Sequence, residues 1–445
     1  MRCFITALLF LMVPLWVQSH EEEIFVQLDD EVPLLPLYLC HFIDADSGFT
    51  SSYLKKLEDV LLFDLDHNGR TSVRQRNEHL STKDFETLPK DPEAIYTVVA
   101  KVHDKKLSVR FSTGNDKAIK AIADISLTGT LEIDRKAVHQ IADTLFKALF
   151  GKDGVASTRL LYTVKRKMDG SNQWSSEIWE ADYDGGNPIK ILKDGGYCVT
   201  PLYVPPSPGY RSGSFFYVSY LNGQPKIFYA SFKEGIGRRF SYLRGNQLMP
   251  AISRQRDHVA FISDAAGNPD LFVQPFDLNK GALGKPRQIF ASGQAVQGTP
   301  AFSPDGKKIA FVSNKDGAAR IYVMDIPSEG IKLQEIKPKL ISKQSRESTA
   351  PAWSPDGSKL AYCALTGSSR QIWIYDFEKG KARQLTQGPG NKENPTWAPD
   401  SLHLIFNSTG AHESELYLVN LNQPQAVKIT GGPGEKRYPN WEPRP

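Results

Sequence analysis

Thr299-Pro300-Ala301-Phe302-Ser303-Pro304-Asp305-Gly306-Lys307-Lys308-Ile309-Ala310-Phe311-Val312-Ser313, followed by Ile321-Tyr322-Val323-Met324-Asp325, is the unit from which most of this chain is built. Ala301-Phe302 reads as a short strand. Ser303-Pro304-Asp305-Gly306 reads as a tight turn, because proline presets φ, aspartate bonds its own backbone and glycine accepts φ > 0. In the next strand Ile309, Phe311 and Ser313 share one face and Ala310 and Val312 the other, the period of two that an extended chain requires. A third strand covers Ile321-Tyr322-Val323, and Leu340-Ile341 suits a short outer fourth. Four antiparallel strands complete one sheet.

The unit recurs. Its opening proline appears as Pro201, Pro250, Pro300, Pro351, Pro395 and Pro439, at intervals of 49, 50, 51, 44 and 44 residues. Third strands keep the beat, from Ile178-Trp179 through Ile372-Trp373-Ile374 to Leu416-Tyr417-Leu418, and so do fourth strands such as Ile189-Lys190-Ile191, Phe240-Ser241-Tyr242 and Val427-Lys428-Ile429. Periods of this size belong to β-propellers and related arrays. The first copy, starting at Arg159, lacks an opening strand, while the last, Pro439-Asn440-Trp441, has nothing after it. Each end supplies what the other lacks. Joining them closes a ring of six blades and removes the exposed edges of an open array, whereas a solenoid would end in polar caps.

The chain opens differently. Met1-Arg2, the apolar run from Cys3 to Val17 and the small-residue site Val17-Gln18-Ser19 read as a secretory signal peptide over residues 1–19, cut after Ser19, with an apolar run too short for a comfortable membrane span. No later stretch is apolar enough to cross a bilayer, so the mature chain is expected without a transmembrane segment and as a monomer. With 54 Lys+Arg against 50 Asp+Glu, the net charge of +4 gives no basic footprint for nucleic acid. Cys40, Cys198 and Cys363 remain after the signal. They are odd in number and without paired spacing, which points to buried free thiols rather than a disulfide framework or a metal knuckle.

Residues 20–150 read as a small α/β domain. Strands are expected over 24–28 and 34–42, a hairpin over 95–111, and amphipathic helices through Leu54, Leu57, Leu61 and Leu65 and through Val138, Ile141, Leu145 and Leu149. Residues 151–158 form the linker and 159–445 the propeller. The fold expected is thus a multidomain α+β and β chain: a six-bladed β-propeller of four-stranded antiparallel blades, closed by the C-terminal strand and preceded by the α/β domain.

Candidate chemistry is sparse. Asp64-Leu65-Asp66-His67-Asn68-Gly69 matches the first half of a calcium loop, but the twelfth position is Gln75 rather than the bidentate glutamate, so a helix-ending turn is expected. No G-x-S-x-G elbow and no H-E-x-x-H occurs, and His403 and His412 have no ligand spacing; no cofactor and no metal are expected. Carboxylates are abundant, which leaves a propeller enzyme, a glycosidase or other hydrolase with its active site at the channel mouth, as the alternative. What stands out is the connector before each opening proline. These enter the innermost strands at one end of the central channel and make a polar, varied collar: Thr200, Asn246, Met249, Gln297, Thr299, Glu347, Thr349, Glu393, Asn394, Arg437 and Tyr438. Differing side chains at equivalent places suit protein recognition, since the proline and turn already meet the structural demand.

The chain resembles the TolB family. The resemblance rests on Pro300-Ala301-Phe302-Ser303-Pro304-Asp305-Gly306, Pro351-Ala352-Trp353-Ser354-Pro355-Asp356-Gly357, Pro395-Thr396-Trp397-Ala398-Pro399-Asp400 and Tyr438-Pro439-Asn440-Trp441. It rests most on the junction, where His139-Gln140-Ile141-Ala142-Asp143 and Gly151-Lys152-Asp153-Gly154 lead into Thr158-Arg159-Leu160-Leu161-Tyr162. It covers nearly the whole mature chain. It implies a non-enzymatic periplasmic adaptor of the Tol-Pal system that binds the peptidoglycan-associated lipoprotein Pal at the channel mouth and an inner-membrane Tol component through its N-terminal segment, supporting outer-membrane integrity and cell division. The sequence departs from the family pattern at Leu202-Tyr203-Val204-Pro205-Pro206, at Ser253-Arg254-Gln255-Arg256-Asp257 and in the acidic residues 21–36.

Overall fold

The computed structural model describes residues 23–28, 32–75, 80–88, 93–113, 118–168, 170–193, 196–221, 223–411 and 413–444. The signal peptide at 1–19, the acidic residues 21, 22 and 29–31, and His412 lie outside the described residues.

The N-terminal unit is a mixed sheet with helices against it. Strand Leu35–Leu39 runs parallel to Thr71–Arg74 on one side and to Tyr96–His103 on the other, and Lys106–Thr113 and Ala118–Ser126 continue antiparallel. Helix α1, Ser51–Asp66, begins where the Thr50 side chain accepts the Tyr53 amide (3.2 Å), filling one of the orphan donors of a first turn. A short helix α2, Thr82–Thr87, and the longer α3, Leu131–Phe150, follow. Gly151 ends α3 in the left-handed conformation (φ 66°), which glycine adopts without a Cβ clash. Leu54, Leu57 and Leu61 of α1 and Val138, Ile141 and Leu145 of α3 are buried in one apolar cluster that continues through Leu160, Tyr183, Leu416 and Trp441. The α/β unit and the ring therefore share a core.

The ring has six blades. From the inside outward, blades two, four, five and six start with Cys198–Tyr203, Gln297–Phe302, Ser348–Trp353 and Asn391–Trp397, each followed by three antiparallel partners. Blade three, starting at Gln247–Ile252, carries an extra two-residue strand, Gly281–Ala282. Blade one is mixed. Its innermost strand is Glu435–Trp441 from the C-terminus, paired with Arg159–Lys167 in the register Asn440 to Leu161 and Trp441 to Leu160. The tail thus zips onto the head, as the complementary half-units demanded.

Two readings are corrected. The fourth strand of blade two is Gly237–Arg239, not residues 240–242, because Tyr229 and Phe228 pair with Arg238 and Arg239 and leave Tyr242 exposed. The first strand, Phe25–Val26, does not join the α/β sheet. It pairs antiparallel with Gln387 and Thr386 of the propeller, with Ile24 and Val26 buried beside Leu385 and Trp397. Apolar residues at 24 and 26 signal a buried strand face but not which sheet receives it.

The α/β unit sits at the end of the ring where the Ser-Pro-Asp-Gly turns lie, over blades six and one. Asn422 donates to the Gly69 carbonyl (2.7 Å), Gln423 to that of Asp66 (2.8 Å), and His403 Nε2 bonds the His67 carbonyl (2.8 Å). The opposite mouth, where the connectors enter, faces away from it.

Candidate functional site: the channel collar

Each innermost strand carries a bulge at the same place. The ladder skips between Val199 and Leu202, Leu248 and Ala251, Gly298 and Ala301, Thr349 and Ala352, Glu393 and Thr396, and Arg437 and Asn440. The residue before the proline takes positive φ in all six blades: Thr200 51°, Met249 54°, Thr299 32°, Ala350 52°, Asn394 53° and Tyr438 53°. A residue before proline prefers extended backbone, and a non-glycine at positive φ costs about 1–2 kcal/mol, so strain of this kind is carried six times over. A bulge re-aims its side chain, and here all six line one channel of about 480 Å³.

The eleven collar residues read from sequence divide into two sets. Thr200, Met249, Thr299, Asn394 and Tyr438 line the channel. Met249 Sδ accepts the Thr299 amide at 3.1 Å, tying blade three to blade four, and Asn394 donates to Asn407 at 2.9 Å. The hydroxyl oxygens of Thr200 and Thr299 are buried without a hydrogen-bond partner among the described residues. Burial raises the Tyr438 hydroxyl above its ordinary value, with Tyr197 and Tyr220 close by. The other six stand behind this ring. Asn246 is locked to Asp264 by its backbone and side-chain amides (2.6 and 2.7 Å). Glu347 pairs with Arg370, whose Nε lies 3.9 Å from Glu393, and Arg437 lies 3.0 Å from Glu435. Thr349 faces Cys363 across the ladder. Gln297 is buried, 2% exposed, and its amide holds the Ala295 carbonyl at 3.0 Å, so its side chain serves the blade rather than the mouth.

Sequence reasoning missed the residues that reach the mouth from the turns between second and third strands and from the strand ends beside them. Tyr220 lines the channel and packs edge-on against Tyr197 with ring centroids 5.6 Å apart, and Arg370 bridges Glu347 and Glu393. Those turns vary in length, so no shared offset from the prolines marks them. At the far end Arg254 Nη1 reaches the Pro355 carbonyl at 3.4 Å, spanning from blade three to blade five.

Asp64, His139 and Asp184 bring ligand atoms within 4.8 Å of one another where α1 and α3 meet blade one. The protein's own groups neutralise them. His139 Nδ1 bonds Asp64 (2.7 Å), Tyr183 donates to Asp64 (2.9 Å), and the Arg135 guanidinium lies on Asp184 (2.5 Å) and near Asp182 (3.4 Å). Burial pushes the Asp64 carboxyl up to about 6 even beside His139. Burial opposes charge on His139, but the surrounding aspartates, Asp64 foremost, lift it to about 10. At neutral pH the two form an ion pair inside the domain junction. The calcium reading fails likewise: Asp66 accepts the Val73 amide (2.8 Å) and Asn68 the amides of Arg70 and Thr71 (2.8 and 2.9 Å), the bonds of a helix-ending turn.

The profile of the TolB beta propeller domain matches residues 146–337 and 331–445. The chain is 50% identical over 403 residues to the protein TolB homolog of Protochlamydia amoebophila, covering 88% of this chain and 85% of that one. The chain belongs to the TolB family. A second TolB homolog, from Chlamydia abortus, is 36% identical over 382 residues, 85% of this chain and 84% of its own. The crystal structure of TolB from Acinetobacter baumannii superposes with a TM-score of 0.72 at 18% identity, over 95% of this chain and all of that one, which carries the shared TolB architecture. Among the described residues no helix is long and apolar enough to cross a membrane.

Proposed function

We propose that the protein is a non-enzymatic periplasmic adaptor of a Tol-Pal-type envelope system, gripping a Pal-like peptidoglycan-associated lipoprotein at the collar mouth of its channel and thereby supporting outer-membrane integrity and cell division. One observation carries this reading: six strained positions, equivalent by blade, present Thr, Met, Thr, Ala, Asn and Tyr to a single opening. Strain that recurs without a shared side chain fits a surface whose shape is fixed and whose chemistry varies around the ring, as recognition of an asymmetric protein needs. The mouth also faces away from the α/β unit. Membership of the TolB family supports the same system. A second contact, with an inner-membrane Tol component, is assigned to the N-terminal segment, whose residue Glu23 lies against Gly388 in the connector entering blade six.

The test is a binding titration of the mature chain with the soluble domain of a Pal-like lipoprotein. Met249→Asp together with Thr299→Asp is expected to weaken the complex by about tenfold or more. Unchanged affinity in a folded double variant would refute the collar as the contact.

A further inference from the structure

The collar mouth is not uniform. Over blades five and six it is charged and carries an acidic excess, with the single Arg370 shared between Glu347 and Glu393. Over blades one to four it is apolar and exposed. Trp174, at the start of the third strand of blade one, and Leu221, just after the second strand of blade two, stand 44% and 62% exposed; Tyr242 and Val296 in the connectors and Met249 at the bulge of blade three stand 82%, 46% and 36% exposed. Such side chains grouped on one rim of a soluble chain mark a contact surface. The charges around this half are mainly basic. Lys165 lies over the Trp174 ring (4.1 Å) and Arg239 over Tyr242 (5.0 Å), with Arg166, Lys167 and Arg244 beside them. The described acids there are engaged as well: Glu177 by Lys190 (2.7 Å), Glu435 by Arg437 (3.0 Å) and Lys165 (3.8 Å), Asp316 by Lys315 (2.9 Å), Asp264 by Asn246 and Asp270 by Gln288.

Resting on the adaptor reading, we infer that the partner docks off-centre, on the blade one to four half of the mouth, with an acidic protein surface surrounding an apolar anchor that packs among Tyr220, Leu221 and Met249. Aromatic and aliphatic groups at the centre of such a patch supply the affinity, while the lysine and arginine rim steers a negatively charged partner and raises its association rate at low salt. The Arg370 cluster of blades five and six, two carboxylates against one guanidinium, offers no positive charge to attract such a surface and acts only as the far wall.

The experiment uses the full mature chain and the soluble domain of a Pal-like lipoprotein, with variants checked for unchanged melting. Leu221→Asp with Tyr242→Ala should raise Kd by about tenfold or more, and Glu347→Gln with Glu393→Gln by less than about threefold. The association rate of the unaltered pair should fall several-fold between about 50 and about 300 mM NaCl. Loss of binding from the blade five and six variant with none from the other would overturn the inference and leave the adaptor reading standing. So would a patch whose effect is confined to vesicles of anionic phosphatidylglycerol, which would make it a membrane surface instead. No complex with the unaltered chain would overturn the adaptor reading, and this inference with it.

Discussion

Trp441 donates its indole N–H to the hydroxyl of Thr158 across 2.7 Å, so a residue five from the end of the chain is fixed to the threshold of the first blade. Trp441 is 3% exposed, packs near Tyr183 (ring centroids 6.3 Å apart) and belongs to the core shared by the ring and the α/β unit. Trp441→Ala is expected to cost about 3–5 kcal/mol, read by denaturant unfolding, because it empties a core site and removes the donor to the Thr158 hydroxyl. Removal of residues 435–445 should expose the edge of Arg159–Lys167 and produce aggregation visible by size-exclusion chromatography. A truncated chain that stays monomeric and as stable as the full one would contradict velcro closure as the source of ring stability.

A pH-dependent clamp joins blade six to α1. His403 bonds Asp400 through Nδ1 (2.6 Å) and the His67 carbonyl through Nε2 (2.8 Å). Burial opposes charge on Asp400, but the His403 imidazolium and neighbouring amides hold the carboxyl down to about 2; burial likewise opposes charge on His403, and Asp400 raises it above 6.5. The depressed carboxyl contributes stability present above its unfolded value and lost as pH falls through about 2. The raised imidazole contributes stability present below about 6.5 and lost as pH climbs through its folded value. The stability difference between the unaltered chain and His403→Gln should therefore be widest from about pH 4 to about pH 6.5. A difference that does not vary with pH would rule the clamp out.

His139 and Asp64 hold the junction from the blade one side. Removing one partner strands the other's charge in a buried site, so Asp64→Asn or His139→Ala should cost about 3–5 kcal/mol, whereas Tyr183→Phe, which removes one hydroxyl, should cost about 1 kcal/mol. Limited proteolysis within residues 151–158 should speed up in the first two variants. Equal cleavage rates in all three would show that apolar packing alone holds the units together.

Gly185 has φ 82°, and a Cβ there would lie 1.6 Å from the Ile429 carbonyl oxygen, forcing blade one away from blade six. Gly185→Ala is expected to lower stability by about 3 kcal/mol or more, since backbone must move as well as adopt the left-handed region. Gly170→Ala, with φ 69° and open space around it, isolates the conformational part at about 1 kcal/mol. Thermal melting of the pair separates the two contributions, and equal shifts would refute the close approach.

The three described cysteines are buried and form no disulfide with one another, and burial pushes the Cys363 thiol up to about 12. Ellman's reagent should find no fast-reacting thiol in the native mature chain and three after denaturation. A rapid native reaction would mean that a blade opens far more readily than its packing suggests.

The ring was legible because its information is local. Every blade repeats a proline, a turn and two alternating strands, and each of those is decided by φ preference or by a period of two within a few residues. Closure was legible too, since half-units at opposite ends announce each other. The destination of 24–28 was not, because one buried face fits either sheet, and Gln297 could not be told from its exposed neighbours by place in the repeat.

What the chain determined by itself is the number of blades, the joining of its C-terminal strand to the first blade, and the connectors before the opening prolines as the residues around the channel mouth. What only the tertiary structure decided is the backbone those positions adopt and the company they keep. A residue before proline favours extended geometry by itself; it is the fixed pairing on both sides of each bulge that turns Thr200, Met249 and their counterparts into the left-handed region and aims them inward. The pairs Arg370–Glu393 of the collar and Arg135–Asp184 of the junction likewise join residues from separate blades or units, and an attraction of that kind exists only once folding has brought the groups within a few ångströms and out of water.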